Sequence, residues 1–467
     1  MKELEMSMEI FRIQKTKSVH RKSKISIALT FLIVSLVGCS SASQDKDAAQ
    51  SESAPVVEAP VIGGTVNILT WQTGASVDAA VKTVAKLYEK THPGTTINVT
   101  ILPYEQYEQK LQLAITGGKT PDIFQAASTA LRLVESGKVL RLDDRIANDP
   151  LLSDDSKVRT TAYDLAKFDG THVDAFPTGT LCGMQLFYNQ DLFDKAGVAY
   201  PTATWTWDDF LAAAQKLTVA KNGKTTQWGT TLGYLRGWDG GWQAIAASNG
   251  MGSFLDSSGA TPRLAVEQPQ VESAWQLLQD LIYKYKVAPT LSTEEIFKQS
   301  GNSFQSGKTA MVVDGCWQMG PYDNAIKNLG MMTLPVGSSG QSVGPVWGSN
   351  MIISKDSKNI DTAWDFLRWW TVTQDAMVPF AKTSAACGSA IVKEFDALLN
   401  TPWVNIPGGD ACANSLNNVK NFSIYTPNWG EVYGKVIDPT WNTKLLEGKI
   451  TAKEFVATLK TETDGKL

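Results

Sequence analysis

Two hydrophobic periods alternate from residue 64 onward, and this alternation constrains the fold more than any other feature of the chain. Val66, Ile68 and Leu69 lead to Trp71 and read as a strand that ends in a Gly-containing loop. Val77, Ala80, Val81, Val84 and Tyr88 then recur at helical spacing. Ile97, Val99 and Ile101 alternate with Asn98 and Thr100 as a half-buried strand. Tyr104, Tyr107, Leu111 and Ile115 form a second helical stripe, stopped by Gly117 and Gly118, and Pro121-Asp122-Ile123-Phe124 reads as a short strand. Strand–helix–strand–helix order predicts a parallel sheet with helices on both faces. Ligands of such sheets bind at the carboxyl ends of the strands, where Trp71, Gln72 and Gln125 fall.

A second block begins near Phe176-Pro177-Thr178-Gly179. Leu186-Phe187-Tyr188-Asn189 reads as a strand, and Thr206-Trp207-Asp208-Asp209 opens a helix with a capping box. Residues 310–314 are a buried strand ending in Gly315-Cys316-Trp317, and the Gly/Ser-rich stretch 335–345 is a crossover. Trp429, Val432, Tyr433, Val436 and Ile437 fit one helix face, and Thr451 with Glu454 caps the last helix. The 467 residues suffice for two domains with their own cores. A net charge of −4 provides no basic surface, so no nucleic-acid partner is expected. Fifteen Trp are more flat, partly polar rings than cores alone require.

Six basic residues between Arg12 and Lys24 precede an apolar run over residues 25–37. That run is too short for a bilayer, which needs about 20 residues, and fits the apolar part of an export signal. It ends in Ser35-Leu36-Val37-Gly38-Cys39, which resembles the bacterial lipobox. Residues 1–38 are therefore expected to be a lipoprotein signal peptide, Cys39 the lipidated residue, and residues 39–63 a flexible Ser/Ala/Asp/Pro tether. The chain is expected outside the cytoplasm, held to a membrane by that lipid. The other four cysteines, Cys182, Cys316, Cys387 and Cys412, permit two disulfides in three pairings. The short Gly/Pro-containing separation of Cys387 and Cys412 favours that pair and leaves Cys182 with Cys316. None has CxxC spacing, and the body holds two His, His92 and His172, so neither a metal site nor a cofactor is expected.

The segments arrive in an order that resembles the extracellular solute-binding proteins of ABC importers, in the sugar-binding group that includes maltose-binding protein. The resemblance rests on Pro121 to Phe124, Phe187 to Phe193, Thr204 to Phe210, Ser306 to Met311 running on to Trp317, Trp364 to Leu367 and Leu446 to Thr451. It implies an α/β, two-lobed periplasmic-binding-protein fold (type II-like), each lobe a sheet flanked by helices, joined by crossover hinge strands. Lobe 1 would comprise 64–177 and 345–400, and lobe 2 would comprise 183–338 and 400–467, with crossovers near 177–183, 338–346 and just before 400. It implies a monomer that captures a sugar or oligosaccharide between the lobes and delivers it to the transmembrane subunits of an ABC permease.

A sugar ring offers C–H faces that stack on aromatics and hydroxyls that need fixed polar partners. On the resemblance, Trp317 is the expected stacking platform, with Asp314 on the same cleft-lining strand, and Trp429 stands near the family's C-terminal cleft aromatic. Trp238 and Trp242, separated by Asp239-Gly240-Gly241, are an expected contact loop with Asp239 as hydroxyl partner. From lobe 1 the candidates are Trp71, Gln72, Gln125 and Trp347. An aromatic stands at Gln125 in the maltose-binding pattern, a departure that weighs against a maltodextrin. Two other readings compete: the same fold binding a polyamine, which would use the cleft acids, and a secreted glycoside hydrolase, which would need a carboxylate pair about 5–5.5 Å apart if retaining. No segment places an acid in a recognisable catalytic motif, so no enzymatic activity is expected.

Overall fold

The structure, a computed structural model, describes residues 62–259, 261–384, 388–403 and 405–467. The expected signal segment, nearly all of the tether, Cys39 and Cys387 lie outside these residues.

The initial alternation becomes three parallel strands, β1 (Gly64–Trp71), β2 (Thr95–Leu102) and β3 (Ile123–Gln125), with Val66 beside Ile97 and Ile68 beside both Val99 and Ile123. Between them run α1 (Ala75–Thr91), which buries Ala80, Val81, Val84 and Tyr88, and α2 (Tyr104–Thr116). The sheet is not wholly parallel as the alternation predicts. Later segments, β4 (Phe176–Cys182), β13 (Trp347–Ile353) and β14 (Ser389–Ala390), complete the order β14-β4-β13-β3-β1-β2, with β13 antiparallel to both β3 and β4. The reason is the route of the chain: β13 returns from the second sheet, enters at the end where β3 and β4 finish, and so runs opposite to them.

The second sheet has the order β11-β5-β10-β7-β6, built from β5 (Met184–Asn189), β6 (Val219–Lys221), β7 (Lys224–Thr231), β10 (Thr309–Gly315) and β11 (Leu329–Met332). Small ribbons flank it: β8 (Leu255–Asp256) with β9 (Arg263–Leu264), and β12 (Gly344–Pro345) with β15 (Val419–Lys420). Helix α3 (Trp207–Leu217) starts at the capping box of Thr206 and Asp209, and α4 (Ala452–Thr463) at that of Thr451 and Glu454. Each sheet has its own core. Tyr88, Phe124, Phe176, Phe366 and Trp370 fill the first, and Trp242, Trp275, Trp441 and Phe455 the second.

The two lobes meet at the strand ends. Gly183 alone separates β4 of the first sheet from β5 of the second, and Val346 alone separates β12 from β13. A Cβ on Gly183 would lie 2.7 Å from Ser415 Oγ, so only glycine fits this crossing without a shift. Cys182 and Cys316 are disulfide-bonded there, with Cα atoms 5.7 Å apart, and the Cys316 N–H donates to Gly183 O at 3.0 Å. Cys412 packs in the same small cluster. Strands β1, β3 and β4 end at this seam on one side and β7 and β10 on the other, so the loops after them line the cleft.

Candidate functional site

Three rings form the centre of the cleft. Trp317 sits in the one-turn helix that follows β10, Tyr234 in the turn after β7, and Trp347 opens β13. Tyr234 meets Trp317 at 5.3 Å and 79°, and Trp347 at 5.2 Å and 78°, while Trp317 meets Trp347 at 5.1 Å and 64°. All three pairs are edge-to-face, the arrangement that ring quadrupoles favour. All three residues stay half-buried, so ring surface is left for a ligand.

Lobe 1 contributes a second aromatic group. Trp71, the last residue of β1, contacts Tyr104 at 5.5 Å and Tyr107 at 5.1 Å, both edge-on. Tyr107 is the core residue that the helical stripe predicts, but Tyr104, the first residue of α2, is 53% exposed. It lies within electrostatic reach of Tyr234 and Tyr433 of lobe 2. The lobes also touch beside the short helix Trp429–Val432, where a Cβ on Gly430 would stand 3.0 Å from Ser128 Oγ.

Polar groups rim the rings. The Asp239 carboxylate makes no hydrogen bond or ion pair among the described residues. Water reaches it, yet protein surrounds it on the cleft floor, and this desolvation raises its pKa to about 6. Tyr425 lies near Asp239 and packs on Phe168 of lobe 1 at 5.1 Å. Burial holds the Tyr234 and Tyr433 phenols far above their ordinary range, with nearby acids adding to it, so both remain neutral donors. Gln72 is exposed beside Trp71, and its N–H caps β2 by donating to Leu102 O at 2.8 Å.

Several expected contacts have other roles. Trp242 is fully buried, packed against Trp275 at 5.0 Å and Phe254 at 4.9 Å, because the Gly240-Gly241 turn directs it into the lobe 2 core rather than outward. Trp238 is 4% exposed and joins the same cluster. Trp429 is buried too, tilted on Tyr433 at 5.8 Å. In that helical segment the backbone widens to π-helical turns over Tyr433–Ile437 and again over Trp441–Leu445, and Tyr433, not Trp429, borders the open space. Gln125 is buried and accepts a bond from Thr70 Oγ1, so its amide carbonyl is already satisfied. Asp314 is also occupied: Tyr322 OH donates to it at 2.7 Å and its neighbour Gly315 N–H at 2.8 Å. Burial raises its pKa to about 6 against those bonds and the Arg236 charge.

Tyr234, Arg236, Tyr104, Tyr425 and Tyr433 are cleft residues that sequence reading missed. Two signals existed. Tyr234 and Arg236 lie between Gly233 and Gly237, and Gly233 has φ +50°, with any Cβ there 2.6 Å from Val313 O. Tyr104 follows Pro103 at a strand-to-helix turn, on the edge where β1 ends.

On the lobe 2 side of Tyr234 and Trp317 a chamber of about 500 Å³ opens. Its walls come from lobe 2 alone, including Thr231, Arg236, Trp238, Asp314 and Asn442.

The chain matches the family described as bacterial extracellular solute-binding protein over residues 71–377, well over half its length. A binding protein of Brucella abortus is 25% identical over 389 residues, 78% of this chain and 88% of that one. A maltooligosaccharide ABC transporter solute-binding lipoprotein of Streptococcus pneumoniae is 23% identical over 373 residues, 76% of this chain and 78% of that one. Among solved structures, an ABC substrate-binding protein from Listeria monocytogenes in complex with cycloalternan superposes with a TM-score of 0.72 at 25% identity, covering 85% of this chain and 98% of that one. The protein is thus a member of the bacterial extracellular solute-binding protein family.

Proposed function

We propose that the protein is the substrate-binding component of an ABC transporter and captures an extracellular sugar or oligosaccharide between its lobes. The observation that carries this reading is the edge-to-face cluster of Tyr234, Trp317 and Trp347 at the seam, opposed by Trp71 and Tyr104. Such rings stack on the C–H faces of a sugar, while Asp239, which lacks a protein partner among the described residues, accepts from its hydroxyls. The sugars named for the Streptococcus and Listeria relatives support the ligand class. The lobes divide at the crossovers near 177–183, 338–346 and 400. Open and closed states of such a hinge are close in energy, and a ligand touching both lobes favours the closed one. The closed form is then what the permease recognises. An anchor on Cys39 keeps the loaded protein at the membrane that holds this partner, and the protein works as a monomer.

Thermal unfolding against a panel of mono- and oligosaccharides, with spermidine and amino acids as controls, tests the reading. A ligand at 100 times its dissociation constant stabilises by about 2.7 kcal/mol, a shift of a few degrees for a protein this size. A shift with a sugar that is not consumed supports it. A shift with spermidine alone replaces sugar with polyamine, and loss of the sugar on incubation replaces binding with hydrolysis.

A further inference from the structure

The Cys182–Cys316 bridge lies at the roots of two cleft indoles. Cys182 is the last residue of β4 and the register partner of Trp347 on β13. Cys316 is the first residue after β10 and the chain neighbour of Trp317. The bridge therefore ties the strand partner of one indole to the neighbour of the other, across the seam where the two rings meet at 5.1 Å and 64°.

Other restraints on this pair are few. Neither indole N–H makes a hydrogen bond among the described residues, and both residues stay half-buried, so neither polar bonding nor enclosure fixes the rings. The half-cystines are different. Both are buried, and Trp317 packs against the small cluster that holds them. The Cys316 N–H donates to Gly183 O at 3.0 Å, which carries the pairing of β10 with β5 one step past Gly315 and Met184. Sheet and bridge together thus fix the backbone that leads into Trp317. A binding surface whose backbone is already fixed loses less freedom when its ligand arrives, and affinity rises accordingly.

We propose that the Cys182–Cys316 bridge is a positioning element for binding, which assembles Trp317 and Trp347 into one platform before the ligand arrives. The use of that platform for a sugar rests on the carbohydrate reading above; its assembly by the bridge does not.

Circular dichroism and calorimetry of the whole protein test it. Two indoles this close give an exciton signal, and the share belonging to this pair is the share that Trp347→Phe removes. Cys182→Ala with Cys316→Ala should remove the same share from the unliganded protein, and should remove nothing more when combined with Trp347→Phe. Maltotriose and mannotriose are the calorimetric probes. For whichever binds, opening the bridge should lower affinity about two- to tenfold. In the Trp347→Phe background it should change nothing, the non-additivity expected of groups that act through one contact. The melting curve reports the fold. If the double variant does not fold, reduction of the folded wild type by a phosphine, which turns the bridge into two thiols, takes its place. An exciton signal that survives opening of the bridge, or an equal loss of affinity in both backgrounds, overturns the positioning role and leaves the cleft reading intact. Binding of neither trisaccharide counts against the carbohydrate reading, while the exciton comparison, which needs no sugar, still upholds or overturns the bridge.

Discussion

Gly315→Ala displaces the proposed platform without touching its chemistry. Gly315 has φ −75° and ψ 155°, a conformation any residue adopts, so the substitution adds no backbone strain. The added methyl would instead run into the six-membered ring of Trp317. If the ring stays, overpacking costs about 1–3 kcal/mol. If it swings away, it forfeits its edge contacts with Tyr234 and Trp347, each worth about 0.5–1.5 kcal/mol. Both routes cost about 1–3 kcal/mol. Where the bound state depends on the platform, affinity falls roughly ten- to a hundredfold. Titration calorimetry reads the affinity, and near-ultraviolet circular dichroism reads the change in aromatic packing. Gly434→Ala is the control, because nothing lies within 4 Å of its new methyl. An altered aromatic spectrum with unchanged affinity would refute Trp317 as a platform, and an unchanged spectrum would refute the packing argument itself.

Gly430→Leu wedges the lobes apart at Ser128, so the radius of gyration from small-angle scattering should rise and ligand affinity fall, while an unchanged radius would deny the contact. Replacing Cys182 and Cys316 by Ala frees a 134-residue loop, and the urea midpoint should fall by the equivalent of about 2–4 kcal/mol; a midpoint that does not move would mean the bridge is not formed. Asp174 and Asp314 both have pKa values raised by burial, from 3.8 to about 6. The stability from their protonated forms is full below pH 4 and is lost as pH rises through about 6, so Asp314→Asn should flatten that part of a stability-versus-pH curve. Asp239 acts oppositely on binding: a hydroxyl that donates to its carboxylate needs it charged, so affinity should rise from pH 5 to 7, and Asp239→Asn should remove the rise.

Much of the fold was legible because hydrophobic period and capping are local signals. The stripe over Ala80 to Tyr88 and the capping boxes at Thr206 and Thr451 fall where the pattern predicts. Strand direction was not legible, since it depends on which sheet the chain has just left, and β13 reverses for that reason. The site was legible in part. Trp71, Trp317 and Trp347 stand at strand ends, and topology alone carries those ends to the seam. The loop with Trp238 and Trp242 misled because two Trp beside glycines look costly to expose, whereas tertiary packing buries both rings. Tyr234, Tyr425 and Tyr433 were invisible as a group, because nothing in the sequence reveals that the 425–433 stretch returns to the segment that holds Tyr234 and Asp239.

The most direct test of the central claim is a crystal structure of the protein grown with the oligosaccharide that stabilises it most. The account predicts a sugar ring stacked on Trp317, one hydroxyl bonded to Asp239, and Trp71 or Tyr104 in contact from lobe 1. A sugar bound elsewhere on the surface, with the cleft between Trp71 and Trp317 holding only water, would contradict it.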